Sequence, residues 1–175
     1  MQKNIQEKLE RLDRERESMY QVVEGLSDQQ LHDSSYGWSI IQVFSHLIDA
    51  EKGSLMYMKK KMQAGQGMKD YSLGNRIRMT ISKGFLQSGL KWKAPKYISS
   101  PEAKYSLSEI KDLWEKTRAE TRTYAESYPE ELIKKAVFKH PFAGRLDLAN
   151  AIDSFTYHQR HHVHQLKRIK KTITK

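Results

Sequence analysis

Apolar residues in the N-terminal segment recur at alternating spacings of three and four. They are Ile5, Leu9, Leu12, Met19, Val23 and Leu26. An α-helix has 3.6 residues per turn, so this spacing places the side chains on one face. The pattern predicts a long amphipathic helix through this segment. The stretch LSDQQL that ends this segment predicts a short turn, capped by Ser27 and Gln30.

A second long helix is predicted to begin after Ser39, because this N-cap residue is followed by Gln42 in a capping-box arrangement. Gly65 and Gly67 are predicted to end it. A third, less regular helix is predicted over about residues 75–90. Residues 91–106 contain two prolines and three serines, which favours a long crossover loop between helices.

The remaining sequence predicts two more helices. One starts after Ser106, with Glu109 completing its capping box, and stops at Pro129. The stretch KHPFAGRLDL predicts a turn, and the last helix begins near Asp147 and runs into the C-terminal tail. No period-two run indicates a strand. We therefore predict an all-α fold, a four-helix bundle with short extra helical turns and one long crossover loop.

Composition limits the kinds of chemistry that the chain can perform. Its 175 residues suffice for one hydrophobic core, so we predict a single domain over residues 1–171 and a basic tail at 172–175. The absence of cysteine excludes disulfides, thiolate metal sites, iron–sulfur clusters and cysteine nucleophiles. No apolar run is long enough to cross a membrane. The charged N-terminus lacks the apolar segment of a secretion signal, which favours a cytoplasmic location.

The net charge of +10 raises the question of an anionic partner such as nucleic acid. Most basic residues are dispersed, and only the end of the chain, LKRIKKTITK, concentrates them, with five Lys or Arg and no acidic residue. Cations also stabilise the last turns of a helix by opposing its dipole. We favour this second interpretation and do not expect a nucleic-acid partner, although binding of an anionic partner stays open.

Four of the seven histidines lie within the stretch YHQRHHVH, in the last predicted helix. With Leu148 as the reference, an advance of about 100° per residue places His162 roughly 40° away and His158 roughly 80° away, within or beside the apolar face. His161 and His164 lie roughly 140° and 160° away. We therefore predict that His158 and His162, four residues apart, face inward on one side, and that His161 and His164 are exposed.

His46 occupies a corresponding position in the second predicted helix, at the border of its apolar face. Side chains from facing helices of a bundle can converge on a metal ion. Three neutral imidazoles suit Zn²⁺, Ni²⁺, Cu²⁺ or Fe²⁺ and leave a position for water or substrate. The residues thus suggest a site formed by His46, His158 and His162. The alternative is that the histidines only form hydrogen bonds within the core.

Two segments resemble the DinB-like (YfiT-like) metal-binding superfamily. GWSIIQVFSHLIDAE resembles its Trp-Ser, His-Leu and Glu segment. HPFAGRLDLANAIDSFTYHQRHHVHQLKRI resembles its closing segment, which has a His-Pro turn and a helix bearing His-x-x-x-His-x-x-Gln. The middle piece, residues 90–120, resembles the family's lysine- and proline-containing crossover, so the likeness covers nearly the whole chain.

The resemblance implies a four-helix bundle of the DinB/YfiT type that holds one divalent metal, usually zinc or nickel. The matching ligands are His46, His158 and His162, and Gln165 matches a glutamine that orients a ligand or water. Characterised relatives include transferases that attach a low-molecular-weight thiol to an electrophile, with the metal stabilising the thiolate. We therefore expect a thiol S-transferase, with a metal-dependent hydrolase using activated water, or a non-enzymatic anion-binding bundle, as alternatives.

Other polar residues near these segments have competing interpretations. Asp49 lies roughly 60° from His46 around the helix and is a candidate to orient it, although a surface carboxylate is the simpler interpretation. Glu51 points toward the core, which indicates a buried ion pair or a contact with the site. Trp38 is interpreted as a hydrophobic staple and His140 as a structural residue of its turn. We expect a small-molecule substrate, no membrane partner and a possible homodimer.

Overall fold

The computed structural model describes residues 3–64, 68–87, 101 and 103–175, which form helices and one small hairpin. The helices are α1 (Lys3–Val23), α2 (Asp28–His32), α3 (Ile40–Gln63), α4 (Leu73–Gln87), α5 (Leu107–Glu126) and α6 (Leu148–Ile173), with a 3₁₀ turn at Glu130–Leu132. The four longest, α1, α3, α5 and α6, correspond to the four predicted long helices. The all-α prediction is confirmed.

Side-chain caps fix where several of these helices begin. Ser27, Ser39 and Ser106 each accept a hydrogen bond from a backbone N–H three residues on, and the side chain at that third position accepts one from the backbone N–H of the cap residue. This reciprocal arrangement satisfies donors that the first helical turn leaves without partners. All three predicted capping boxes are confirmed. Asp147 caps α6 by accepting a 2.8 Å hydrogen bond from the Asn150 amide.

Helix α6 is central to the bundle. It packs against α1, α3 and α4, while α3 also packs against α5. Six apolar residues lie on one side of this helix. Four are buried and two are partly buried: Leu148, Ile152, Phe155 and Leu166, then Val163 and Ile169. Because these residues are buried, the side of α6 that contains them and the inward histidines faces α3.

Residues 138–146 correct one prediction, because part of the stretch that we interpreted as a turn is an antiparallel hairpin. Strand β1 (Phe138–His140) pairs with β2 (Gly144–Leu146), and His140 lies opposite Gly144. Gly144 has φ +77°, a conformation that suits glycine at the end of a three-residue hairpin loop. Each strand has only three residues, too few to show a period-two pattern.

Helix α6 runs into the C-terminal tail as predicted and continues to Ile173, so half of the tail is helical. The domain limits of residues 1–171 stay a prediction. Helix α4 begins two residues before its predicted start, at Leu73. Gly65, Gly67, the predicted end of the third helix at 88–90 and most of the crossover loop lie outside the described residues. Among the described helices, none has the length and apolar character needed to cross a membrane.

Candidate metal centre

Three histidine side chains from two helices converge at the interface of α3 and α6. His158 and His162 lie one turn apart on α6, and His46 faces them from α3. The Nε2 atom of His158 is 3.1 Å from Nε2 of His162 and 3.3 Å from Nε2 of His46. Candidate ligand atoms of all three lie within 4.8 Å of one another. These are the three residues that the helical angles selected.

The spacing of these nitrogens fits a shared divalent ion. Zinc–nitrogen bonds of about 2.0–2.1 Å separate two ligands by about 3.3–3.4 Å at a tetrahedral angle and by about 2.9 Å at a right angle. The two short distances, 3.1 and 3.3 Å, lie within that interval. Three convergent nitrogen atoms also repel one another through their lone pairs, and a cation between them relieves that repulsion. The triad therefore has the composition and spacing to hold a metal ion.

Burial keeps the three imidazoles in the neutral form that binds metals. It lowers the pKa of His46, and it lowers the pKa of His162 to about 3, where proximity to His46 adds to the effect. The pKa of His158 falls well below 6.5, first through burial and then through His162 and His46. A neutral imidazole has a free lone pair, so metal binding at neutral pH requires no proton to be removed from the charged form.

Gln165 orients one of the three rings. Its Oε1 atom lies 2.7 Å from Nδ1 of His162, which is buried, so Nδ1–H donates to the amide oxygen. The proton is then on Nδ1, and the lone pair of Nε2 faces the other two histidines. Metal-binding histidines usually have such a partner on their second nitrogen. The role expected for Gln165 stays a prediction, and this hydrogen bond is the contact on which it depends.

Asp49 and the two remaining histidines of the cluster have different surroundings. Asp49 is exposed and lines the same cavity as the triad, and among the described residues it forms no hydrogen bond with His46. His164 is exposed as predicted. The prediction for His161 is wrong, because it is partly buried and its ring centroid lies 5.2 Å from that of His162. The angle around the helix axis gives the direction in which a side chain leaves the helix, but it does not show how far its ring is covered.

A cavity of about 1390 Å³ opens beside the triad. Aromatic side chains form much of its wall: Trp38, Tyr57, Phe138, Phe142 and Phe155. The Trp38 ring lies 5.2 Å from the His46 ring and also packs against the core, so it has a place in the site beyond that of a hydrophobic staple. Sequence reasoning did not identify this aromatic wall.

Charged side chains on the cavity wall are mainly basic. Arg78 comes from α4, Lys139 from the hairpin, and Arg168 and Lys171 from the end of α6. Within the described part of the chain, none of the four forms an ion pair with an acidic side chain. The wall therefore has an electrostatic preference for anionic groups.

Glu51 is confirmed as a member of a buried ion pair and lies away from the triad. Its carboxylate accepts hydrogen bonds from Arg118 at 2.9 and 3.1 Å, from Trp114 at 3.2 Å and from Thr121 at 3.1 Å. Arg118 also contacts Asp13 on α1. Because these residues belong to α1, α3 and α5, the network fixes α3, and with it His46, relative to the rest of the bundle.

Comparison with known proteins agrees with this architecture. A family model described as the DinB superfamily matches residues 11–166, a span that contains the three histidines of the triad, Gln165 and the hairpin. No match was found among curated proteins. The family match covers most of the chain, and the chain therefore belongs to the DinB superfamily.

Proposed function

We propose that this protein is a metal-dependent enzyme that joins a low-molecular-weight thiol to a small electrophile. The observation that carries the proposal is the convergence of three imidazole nitrogens, 3.1 and 3.3 Å apart, on the wall of a large cavity. Pockets for one small ligand usually measure about 300–1000 Å³. The volume of about 1390 Å³ therefore leaves room for two small substrates side by side.

His46, His158 and His162 would hold the metal, and zinc or nickel suits three neutral imidazoles. A divalent cation bound there supplies a Lewis acid that lowers the pKa of a thiol or water molecule placed next to it. Gln165 keeps the Nε2 lone pair of His162 directed at the shared position by accepting its Nδ1 proton. The chain contains no cysteine, so the sulfur nucleophile of this reaction has to come from a cosubstrate.

The other walls of the cavity suit the two substrates. The aromatic side chains exclude water and provide apolar contacts for an uncharged electrophile. Arg168 and Lys171 lie on the α6 side of the cavity, and the charge of Arg168 is near enough to contribute to the low pKa of His162. They are suited to bind a carboxylate of the thiol cosubstrate. A homodimer and a cytoplasmic location stay predictions.

The test is a conjugation assay with the metal-loaded protein. Glutathione, bacillithiol and mycothiol are each incubated with a small electrophile such as benzyl chloride, and the thioether is quantified by mass spectrometry. We expect at least one thiol to be conjugated faster than without protein. The His46→Ala variant should lose this activity, whereas His164→Ala, an exposed residue on α6, should keep it. Absence of thioether formation above background with every thiol contradicts the transferase proposal.

The same variants separate the alternative functions. A hydrolase releases product from an ester or amide without consuming thiol, and it also loses activity in His46→Ala. The exposed basic residues at the end of α6 favour a second candidate, binding of an anionic partner. That function predicts binding to a polyanion such as heparin that weakens steeply with salt and persists in His46→Ala.

A further inference from the structure

His140 shares the cavity of the triad but has no part in it. It ends β1 and lies on the cavity wall, next to Pro141 and Phe142. A charge on His140 is one of the influences that lower the pKa of His158, so the two rings lie within electrostatic range. The ring is held between aromatic neighbours, with centroids 6.1 Å from Phe138 and 6.1 Å from Phe142. His140 is therefore a polar group on the wall of the cavity that also contains the candidate metal position.

The hydrogen bonds of the hairpin loop determine which nitrogen of His140 has the proton. Nδ1 accepts from the backbone N–H of Phe142 at 3.2 Å and of Ala143 at 3.0 Å. A nitrogen that accepts has no hydrogen, and a neutral imidazole has one N–H, so the proton is on Nε2. Burial lowers the pKa of His140 to about 4, so the ring is neutral at pH 7.

The Nε2–H group of His140 is available to a ligand. No described residue accepts a hydrogen bond from it, and Nδ1 is already used by the loop. A donor held by its own turn needs no rearrangement when a substrate arrives, which favours its use in stabilising charge that develops during a reaction. His140 and His158 line the same cavity, so a second substrate bound in that cavity can meet this donor.

We propose that His140 Nε2–H donates a hydrogen bond to an oxygen atom of the electrophile, and that the site prefers electrophiles in which a carbonyl is conjugated to the reacting C=C bond. The assignment rests on the proposed transferase function. In such a reaction the thiol loses its S–H proton to solvent and the sulfur forms a bond to the β-carbon. The electrons of the C=C bond move onto the carbonyl oxygen, where His140 stabilises the charge. A solvent proton then adds to the α-carbon, so the product is the simple thioether adduct.

The structural alternative is that His140 only caps its own turn. Two substitutions separate the roles, because the side-chain oxygen of Asn can take the place of Nδ1, whereas the amide NH₂ of Gln can take the place of Nε2–H. His140→Asn keeps the acceptor for the loop and loses the donor. His140→Gln keeps a donor and loses the acceptor for the loop. His164→Asn, at an exposed position, is the matched control.

The experiment measures kcat/KM of the zinc-loaded protein with the thiol that the wild type accepts, using acrylamide, which has a carbonyl, and benzyl chloride, which does not. His140→Asn should retain the wild-type Tm and zinc content. Its kcat/KM should fall about 10- to 100-fold with acrylamide and less than about threefold with benzyl chloride. His140→Gln should have a lower Tm than His140→Asn. Its loss of kcat/KM with acrylamide should be smaller than that of His140→Asn.

Long-range ¹H–¹⁵N spectra of the wild type supply a readout that does not depend on activity. They should show the proton of His140 on Nε2, and a proton on Nδ1 would overturn the proposal. Equal activity of His140→Asn and wild type with acrylamide would overturn it too, while leaving the transferase function intact. If the wild type conjugates neither electrophile with any thiol, the proposed function itself fails.

Discussion

Replacing Gln165 by Leu should weaken metal binding without unfolding the protein. The substitution removes the oxygen that lies 2.7 Å from Nδ1 of His162, whose side chain is only 7% exposed. A buried N–H left without an acceptor costs about 1–3 kcal/mol. The loss of such an orienting partner typically lowers metal affinity by about 10- to 100-fold, which corresponds to roughly 1.4–2.7 kcal/mol. The first figure is a cost in folding stability, and the second is the expected loss in metal-binding free energy.

The assay is a competition titration in which a chromophoric chelator and the protein compete for zinc at pH 7.5. Gln165→Leu should raise the dissociation constant about 10- to 100-fold. Gln165→Glu keeps an acceptor for His162 Nδ1, so it should bind zinc at least as tightly as the wild type. His164→Leu, an exposed change on the same helix, should have no effect. A dissociation constant for Gln165→Leu within about twofold of wild type would refute the role assigned to this hydrogen bond.

Three further predictions concern stability. Glu51→Leu leaves Arg118 buried without its main partner, so it should lower the free energy of unfolding in urea by roughly 3–5 kcal/mol. The double variant Glu51→Leu with Arg118→Met should recover most of this loss. A double variant no more stable than the single one would contradict the prediction. The metal-free protein should lose stability as the pH falls from about 6.5 toward 4. The reason is that His140 and His162 have folded pKa values of about 4 and about 3, so they take up protons more readily in the unfolded chain. Equal urea midpoints at pH 7 and pH 5 would argue against this prediction. Ser39→Ala should cost about 1 kcal/mol and Ser39→Asp much less, and thermal melts that fail to separate the two would count against the capping box of α3.

The sequence predicts the start of a helix well where a side chain caps that helix. Ser39 and Ser106 show this, because a capping box requires only residues three positions apart and these contacts form within one turn. The hairpin at residues 138–146 was missed for the opposite reason. Its stability comes from packing, since Phe138 and Leu146 are buried in the core, and three-residue strands have too little pattern of their own.

The candidate ligands on α6 could be predicted from the sequence, because the spacing of residues along one helix shows which side chains share a face. His158 and His162 share a face of α6, and the family pattern supplied Gln165. The partial burial of His161 was not accessible in this way, because its helical angle gives the direction of the side chain but not how far the ring is covered. One signal was overlooked: Tyr57 follows His46 by eleven residues, which returns it to within roughly 20° of the same face of α3 and thus to the cavity wall.

The central claim is that His46, His158 and His162 together hold one divalent metal ion. The most direct measurement is the zinc content of purified protein after loading and desalting, determined by mass spectrometry for the wild type and two matched variants. The wild type and the variant with His161→Ala and His164→Ala should retain one zinc per chain, while the variant with all three candidate ligands changed to Ala should retain none. Equal zinc in the wild type and the triple variant would contradict the assignment.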